Sequence, residues 1–92
     1  MGVPTVASGI NSIAYGVGVQ ATGDYSQAFG TSTIASGGAS HAEGEETQAT
    51  GTTAHAEGNQ SKAYGDVSHA EGNQTTASGL YSHAEGSQTL AS

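Results

Sequence analysis

A seven-residue repeat runs through almost the whole chain and leaves few folds open to it. Alanine stands at every seventh position over Ala7–Ala91, thirteen times in all, and glycine follows it two residues later, twelve times over Gly9–Gly86. Ser or Thr precedes nearly every one of these alanines by two residues. Self-similarity at a short fixed period is the signature of a stacked-repeat architecture. We therefore expect a single repeat domain over residues 7–92, after a short lead-in at residues 1–6.

Alternation within each unit predicts β-strands. Ser12, Ala14 and Gly16 would lie on one face of an extended segment, with Ile13 and Tyr15 on the other. Twelve regularly spaced glycines disfavour a helix, at about 1 kcal/mol each. The repeating pair of Ala and Gly also differs from the two large apolar positions of a coiled coil. The two residues after each glycine are mostly turn formers, so each unit is predicted to be about five residues of strand and a two-residue corner.

Odd and even units differ in sequence, so one complete coil is predicted to be a fourteen-residue pair of units with two strands. Coils stacked about 4.8 Å apart form two parallel sheets, and this chain would make a thin all-β roll of roughly 30 Å. The interior is expected to hold only small side chains. The residues assigned to the interior and corners of the even units are Ala14, Gly16, Ala42, Gly44, Ala56, Gly58, Ala70, Gly72, Ala84 and Gly86.

The outward positions of the even units are ordered along the chain, whereas those of the odd units vary and are mostly polar. Apolar residues and glutamine come first, and from residue 41 onward every even unit carries His and Glu. A face held this constant indicates contact with a partner. Its residues are Ile13, Tyr15, Gln27, Phe29, His41, Glu43, His55, Glu57, His69, Glu71, His83 and Glu85.

Composition indicates that several chains share one core. Large apolar residues number only 16, and none lies between Ala35 and Ala63. Such a chain alone cannot bury enough apolar area to offset roughly 1–2 kcal/mol per residue of backbone ordering entropy. The formal charge of −7, with Lys62 as the single base, argues against nucleic acid or an anionic membrane as a partner. No run approaches the roughly 18 apolar residues of a membrane span.

The first even unit carries a family resemblance. The sequence Asn-Ser-Ile-Ala-Tyr-Gly at residues 11–16 resembles the Asn-Ser-Val-Ala-Ile-Gly motif of YadA-like head repeats in trimeric autotransporter adhesins. The Ser-His-Ala-Glu-Gly units at 40–44, 68–72 and 82–86, with Ala54 replacing the serine in the remaining copy, are similar to a variant in bacterial surface proteins and phage tail or spike proteins. The resemblance implies a left-handed parallel β-roll, a β-solenoid, with three rolls packed around a threefold axis. It places the constant even face against that axis.

Three interpretations of the His and Glu residues compete. In the first, histidine of one chain hydrogen-bonds glutamate of the next at the trimer axis, since buried carboxylates need partners. In the second, symmetry-related histidines bind zinc or nickel, although a pair repeated in every coil suits filling better than a site. In the third, Ser82, His83 and Glu85 form a catalytic set. Neighbouring residues of a strand point to opposite faces, which separates Ser82 from His83. We favour the first interpretation, the hydrogen-bonded trimer axis. We therefore predict no bound metal, no cofactor and no enzymatic activity.

The sequence therefore predicts a non-enzymatic head or stalk segment of a homotrimeric surface adhesin or phage tail fibre or spike. It would serve as a rigid spacer or display scaffold within a longer fibre, outside the cell on a bacterial surface or a virion. The alternative is a module that binds a host matrix protein or glycan through the outer face of the roll. Neither function involves nucleic acid or membrane insertion by this segment.

Overall fold

The chain folds into a β-roll. The computed structural model describes residues 5–92, so most of the predicted lead-in, residues 1–4, lies outside the described residues. Within the described part every regular element is a β-strand, and thirteen strands succeed one another. The prediction of an all-β parallel roll with 14-residue coils is confirmed. Since residues 5–92 form no helix, they contain none long and apolar enough to span a bilayer.

The strands belong to two sheets that alternate along the chain. The long-strand sheet has six strands of five residues, Ile13–Val17, Gln27–Thr31, His41–Glu45, His55–Asn59, His69–Asn73 and His83–Ser87. The short-strand sheet has seven strands of two residues, Val6–Ala7, Gln20–Ala21, Ile34–Ala35, Gln48–Ala49, Lys62–Ala63, Thr76–Ala77 and Leu90–Ala91. The Cα trace measures 32 × 25 × 13 Å, in keeping with the thin roll that the sequence predicts.

Each strand pairs in parallel with the equivalent strand of the adjacent coil. His55 aligns with His69 and Ala56 with Ala70, and the same offset holds throughout both sheets. Because the register equals the repeat, equivalent residues of successive coils form straight columns along the roll. A column of like residues is thus a direct result of the period of the coil.

The interior is built from the small residues of the repeat. Alanines such as Ala42, Ala56, Ala70 and Ala84 are buried, and Ala14 packs against them from the first coil of the long-strand sheet. The Ser and Thr residues of the repeat fill the remaining interior positions. Val19, which replaces one of these hydroxyl residues, is the largest fully buried side chain in residues 5–92. Because the core is so thin, folding of the chain buries little apolar area for each residue that becomes ordered.

Every corner turns at the second residue after a repeat glycine. That residue has a positive φ, near 55–61° at the eleven non-glycine corners and 65° at Gly18. At the corners that follow short strands, the residue after it donates its N–H to the carbonyl of the repeat glycine, as in Ser12 N–H to Gly9 O at 3.3 Å. Corner backbones also bond from coil to coil; Val67 N–H donates to Thr52 O at 2.8 Å. The stack therefore fixes the left-handed conformation even where the side chain disfavours it.

The odd units differ from the predicted five-residue strands. In them a single carbonyl accepts two consecutive N–H groups of the preceding coil: Ala63 O accepts from Thr50 at 3.0 Å and from Gly51 at 3.4 Å. Regular pairing ends where one acceptor serves two donors, as it does at a β-bulge. The extended segment therefore stops directly after the alanine, and only two residues of each odd unit remain in a ladder.

Both glycine columns face backbone of the next coil. A Cβ built on Gly58 would lie 2.0 Å from Gly72 O, and one on Gly51 would lie 2.1 Å from Gly65 O. The two columns differ in conformation, because Gly58 has a φ of 111°, a region that side chains rarely adopt. At these glycines the neighbouring coil of the same chain therefore leaves no space for a side chain.

Candidate functional site

The twelve residues of the constant even face lie together on the outer surface of the long-strand sheet, away from the alanine core. Ile13 and Tyr15 are exposed, with relative accessibilities of 49% and 74%. Gln27, Phe29 and the central His and Glu residues are half-buried, and His83 and Glu85 in the last coil are exposed. Whether this face meets the axis of a trimer is a property of an assembly, so that assignment stays a prediction.

The four histidines form a continuous stack along the roll. Their ring centroids are 4.6–4.7 Å apart and successive rings are tilted by 3–14°. Phe29 caps the stack at its N-terminal end, 5.7 Å from the His41 ring. This spacing is close to the distance between adjacent strands, and it follows from the in-register pairing of His41, His55, His69 and His83.

A parallel column of carboxylates accompanies the imidazoles. Nε2 of His55 lies 3.3 Å from Oε1 of Glu57, and the corresponding pairs of the other coils are separated by 3.4–3.6 Å. Contacts also run between coils: His69 Nε2 lies 3.7 Å from Oε1 of Glu57. We call the four histidines and the glutamates Glu43, Glu57, Glu71 and Glu85 the His/Glu ladder. The sequence interpretation paired His and Glu of different chains, whereas the structure brings together those of one chain.

His55, in the middle of the ladder, has a lowered pKa. Burial lowers the pKa of His55, and the neighbouring imidazoles of His69 and His41 lower it further. The carboxylates of Glu57 and Glu43 act in the opposite direction but do not reverse the shift. The shift favours the neutral form of the His55 imidazole, which is both a hydrogen-bonding group and a metal ligand.

The serines of the Ser-His-Ala-Glu-Gly units do not join the ladder. Ser40 and Ser68 are buried in the roll, whereas His41 and His69 lie on its outer surface. Ser61 in the odd series shows the interior role, since its hydroxyl donates to Glu57 O at 2.7 Å. This placement agrees with the argument that separated the serine from the histidine on opposite faces of the strand.

The corner beside the long strands carries a second polar ladder. Gln60 donates to Glu46 at 2.9 Å, Gln74 to Gln60 at 3.0 Å, and Gln88 to Gln74 at 3.1 Å, each through Nε2 to Oε1. The recurrence of glutamine in one column is the pattern of an amide ladder, and Glu46 extends that ladder by one coil. Glu46 stands one full coil before Gln60 in the sequence, and this spacing could have predicted that Glu46 joins the column.

The opposite corners hold backbone caps that the sequence analysis did not identify. Oδ1 of Asp24 accepts the N–H of Ile10 and Oδ1 of Asp66 accepts that of Thr52, each at 3.0 Å. In both cases the aspartate lies one coil further along the roll than the donor. Each cap gives a corner N–H group the partner that solvent would otherwise have to provide.

Comparison with known protein families identifies the repeat at the N-terminal end. Two copies of the YadA head domain repeat match, at residues 1–18 and 7–33. From residue 34 onward the coils keep the same period and register as the matched part. None of the curated proteins compared with the chain matches it.

Proposed function

Because the chain carries YadA-like head repeats, we propose that it is a non-enzymatic head or stalk segment of a homotrimeric surface adhesin, or of a phage tail fibre or spike. Three left-handed rolls would pack with the long-strand sheets towards a common axis. The segment would act outside the cell, on a bacterial surface or a virion, as a rigid spacer or display scaffold.

One observation carries this proposal: the large side chains lie outside the roll instead of inside it. Ile13, Tyr15 and Val17 are exposed on one face of one sheet, while the interior holds little beyond alanine and hydroxyl side chains. Burial of apolar surface stabilises by about 25 cal/mol per Å². Packing these faces together would give the first two coils an apolar core that the single roll lacks, and the coils from His41 onward would contribute His and Glu to the same contact.

The role of spacer is supported by the continuity of the backbone ladder. Hydrogen bonds join successive coils in both sheets and at the corners over residues 5–92. Each coil contacts its neighbours in the stack, so bending the roll would open several of these bonds together. Repeat proteins of this kind are quasi-one-dimensional, which suits the transmission of position along a fibre.

Cysteine labelling tests which sheet faces the axis, and the chain has no native cysteine to interfere. Tyr15→Cys places a thiol on the long-strand face and Thr50→Cys places a matched one on the outer surface of the odd units. We expect a maleimide to react slowly with the first and quickly with the second in the assembled protein. Both should react quickly after denaturation. Equal rapid reaction of both thiols under native conditions would contradict the assignment of the axis.

Exposed aromatic residues favour a second candidate function, the binding of a host matrix protein or glycan. Tyr25 and Tyr81 project from the corners that follow the short strands, with accessibilities of 61% and 72%. Exposed aromatic rings next to polar groups are common contact points in recognition surfaces. Binding to matrix proteins or a glycan array that disappears in Tyr25→Ser/Tyr81→Ser would favour this role over that of a spacer. Unchanged binding would exclude these tyrosines from it.

A further inference from the structure

We propose that the His/Glu ladder binds divalent transition-metal ions such as Zn²⁺ or Ni²⁺, with two imidazoles and one carboxylate of the same chain as ligands. Three overlapping sets bring such atoms within 4.8 Å of one another. They are His41/Glu43/His55, His55/Glu57/His69 and His69/Glu71/His83. Each set joins two adjacent coils, so an ion bound there would link neighbouring strands.

The ligand atoms are close to the separations that such an ion needs. Metal–ligand distances of 2.0–2.2 Å in a tetrahedral site place the ligand atoms about 3.4 Å apart. The His-to-Glu separations of 3.3–3.7 Å already meet this requirement. Only the two imidazole nitrogens, which lie within 4.8 Å of each other, must approach, by at most roughly 1.4 Å, and half-buried side chains can tilt that far.

The state of the imidazole nitrogens supports the same conclusion. Nε2 of His41, His55 and His69 is shielded from solvent and makes no hydrogen bond of acceptable geometry within residues 5–92. A buried polar atom without a partner is unfavourable, and a metal ion would provide the partner for two such atoms at once.

Charge and ligand type indicate which ions fit. The glutamate column carries negative charge in a chain whose formal net charge is −7, and a cation placed beside it would reduce the repulsion along the column. Two imidazoles and a carboxylate suit Zn²⁺, Ni²⁺ or Cu²⁺, whereas Mg²⁺ and Ca²⁺ prefer all-oxygen sites. Three protein ligands leave a position for water or for a group of another chain.

The shared histidines limit the number of ions. His55 belongs to two of the three sets and so does His69, so two ions that share no ligand can occupy only the first and the last set. We therefore expect two ions per chain at saturation. His55→Asn should leave only the last set and reduce the number to one. The double variant His55→Asn/His69→Asn should bind none.

Isothermal titration of the full chain with ZnCl₂ measures these numbers, and sedimentation of the same samples reports the oligomeric state separately. Loss of a single outer-shell residue already costs about 10–100-fold in metal affinity, so the double variant, which lacks two ligands, should show no binding in this titration. The control Glu45→Gln/Glu46→Gln removes two acidic groups from the corner and should still bind two ions. No binding by the wild-type chain, or equal binding by the double variant, would overturn the proposal.

A second measurement on the unaltered chain covers the case in which the double variant does not fold. Addition of paramagnetic Ni²⁺ should broaden the ring resonances of the four histidines before the ring resonances of Tyr64, which lies in an odd unit. Uniform broadening, or earlier broadening of Tyr64, would show non-specific binding and would equally overturn the proposal.

Discussion

The alanine substitution Gly58→Ala should severely destabilise the roll. The new Cβ would lie 2.0 Å from Gly72 O, more than 1 Å inside ordinary contact, and the opposing atom is backbone that cannot turn aside. Overpacking of this kind costs about 1–3 kcal/mol. The φ of 111° adds strain for any side chain, again about 1–3 kcal/mol. We expect a loss of about 2–6 kcal/mol in the free energy of unfolding.

Two matched variants separate the contributions. Gly51→Ala meets Gly65 O at 2.1 Å but has no unusual φ, so it should show the steric cost alone. A Cβ on Gly38 meets nothing within 4 Å, and Gly38→Ala should be neutral or stabilising by about 0.4–1 kcal/mol through the unfolded state.

Thermal unfolding followed by circular dichroism at one fixed chain concentration would rank the variants. For a domain of this size 1 kcal/mol shifts the melting temperature by about 4–8 °C, so Gly58→Ala should melt at least about 8 °C below the parent. A Gly58→Ala protein that melts like the parent, or a Gly38→Ala protein that is equally damaged, would refute the packing argument.

Two further perturbations test the corners and the ladder. Val67 is β-branched, exposed and held at a φ of 57°, a conformation that costs an L-residue roughly 1–2 kcal/mol and that Asn tolerates. Val67→Asn should therefore raise the melting temperature by about 4–8 °C. The control Val17→Asn changes a residue of an extended strand and should not raise it. Equal effects of the two variants would contradict the presence of backbone strain at Val67. The pKa of His55 is lowered in the folded chain, so its neutral form is favoured by folding. Its contribution to stability is then complete above the unfolded value near 6.5 and is lost as pH falls towards the folded value. In EDTA the parent should have a lower melting temperature at pH 5 than at pH 8. The difference should be smaller in His55→Asn. A higher melting temperature of the parent at pH 5 would contradict the expected direction of the pH dependence.

The fold was predictable because period and register coincide. Ala56 and Ala70 are separated by one coil length, so they must lie in one column. The parallel sheets and the outward direction of His and Glu follow from the same spacing. The short strands were not predictable, since they depend on Ala63 O accepting two N–H groups, a detail of backbone path. Val67 and Thr53 likewise adopt a positive φ against their own preference, because the stack sets each corner.

The site was predictable in its membership but not in its contacts. The constant spacing of the histidines placed His55 and His69 in one column. The pairing of His69 Nε2 with Glu57 of the preceding coil at 3.7 Å depends on side-chain conformations that a repeat pattern does not specify. The hydrogen bonds to Asp24 and Asp66 were unpredictable for the same reason. Aspartate is a common corner residue, but only the stacked backbone shows which N–H group its carboxylate accepts.

Sedimentation equilibrium of the isolated chain tests the central claim most directly. Large side chains lie outside a core of alanine and hydroxyl residues, and the proposed function has other chains cover the long-strand face. The account predicts a single folded species of three times the 9.0 kDa chain mass. A stable, folded species of 9.0 kDa would contradict it.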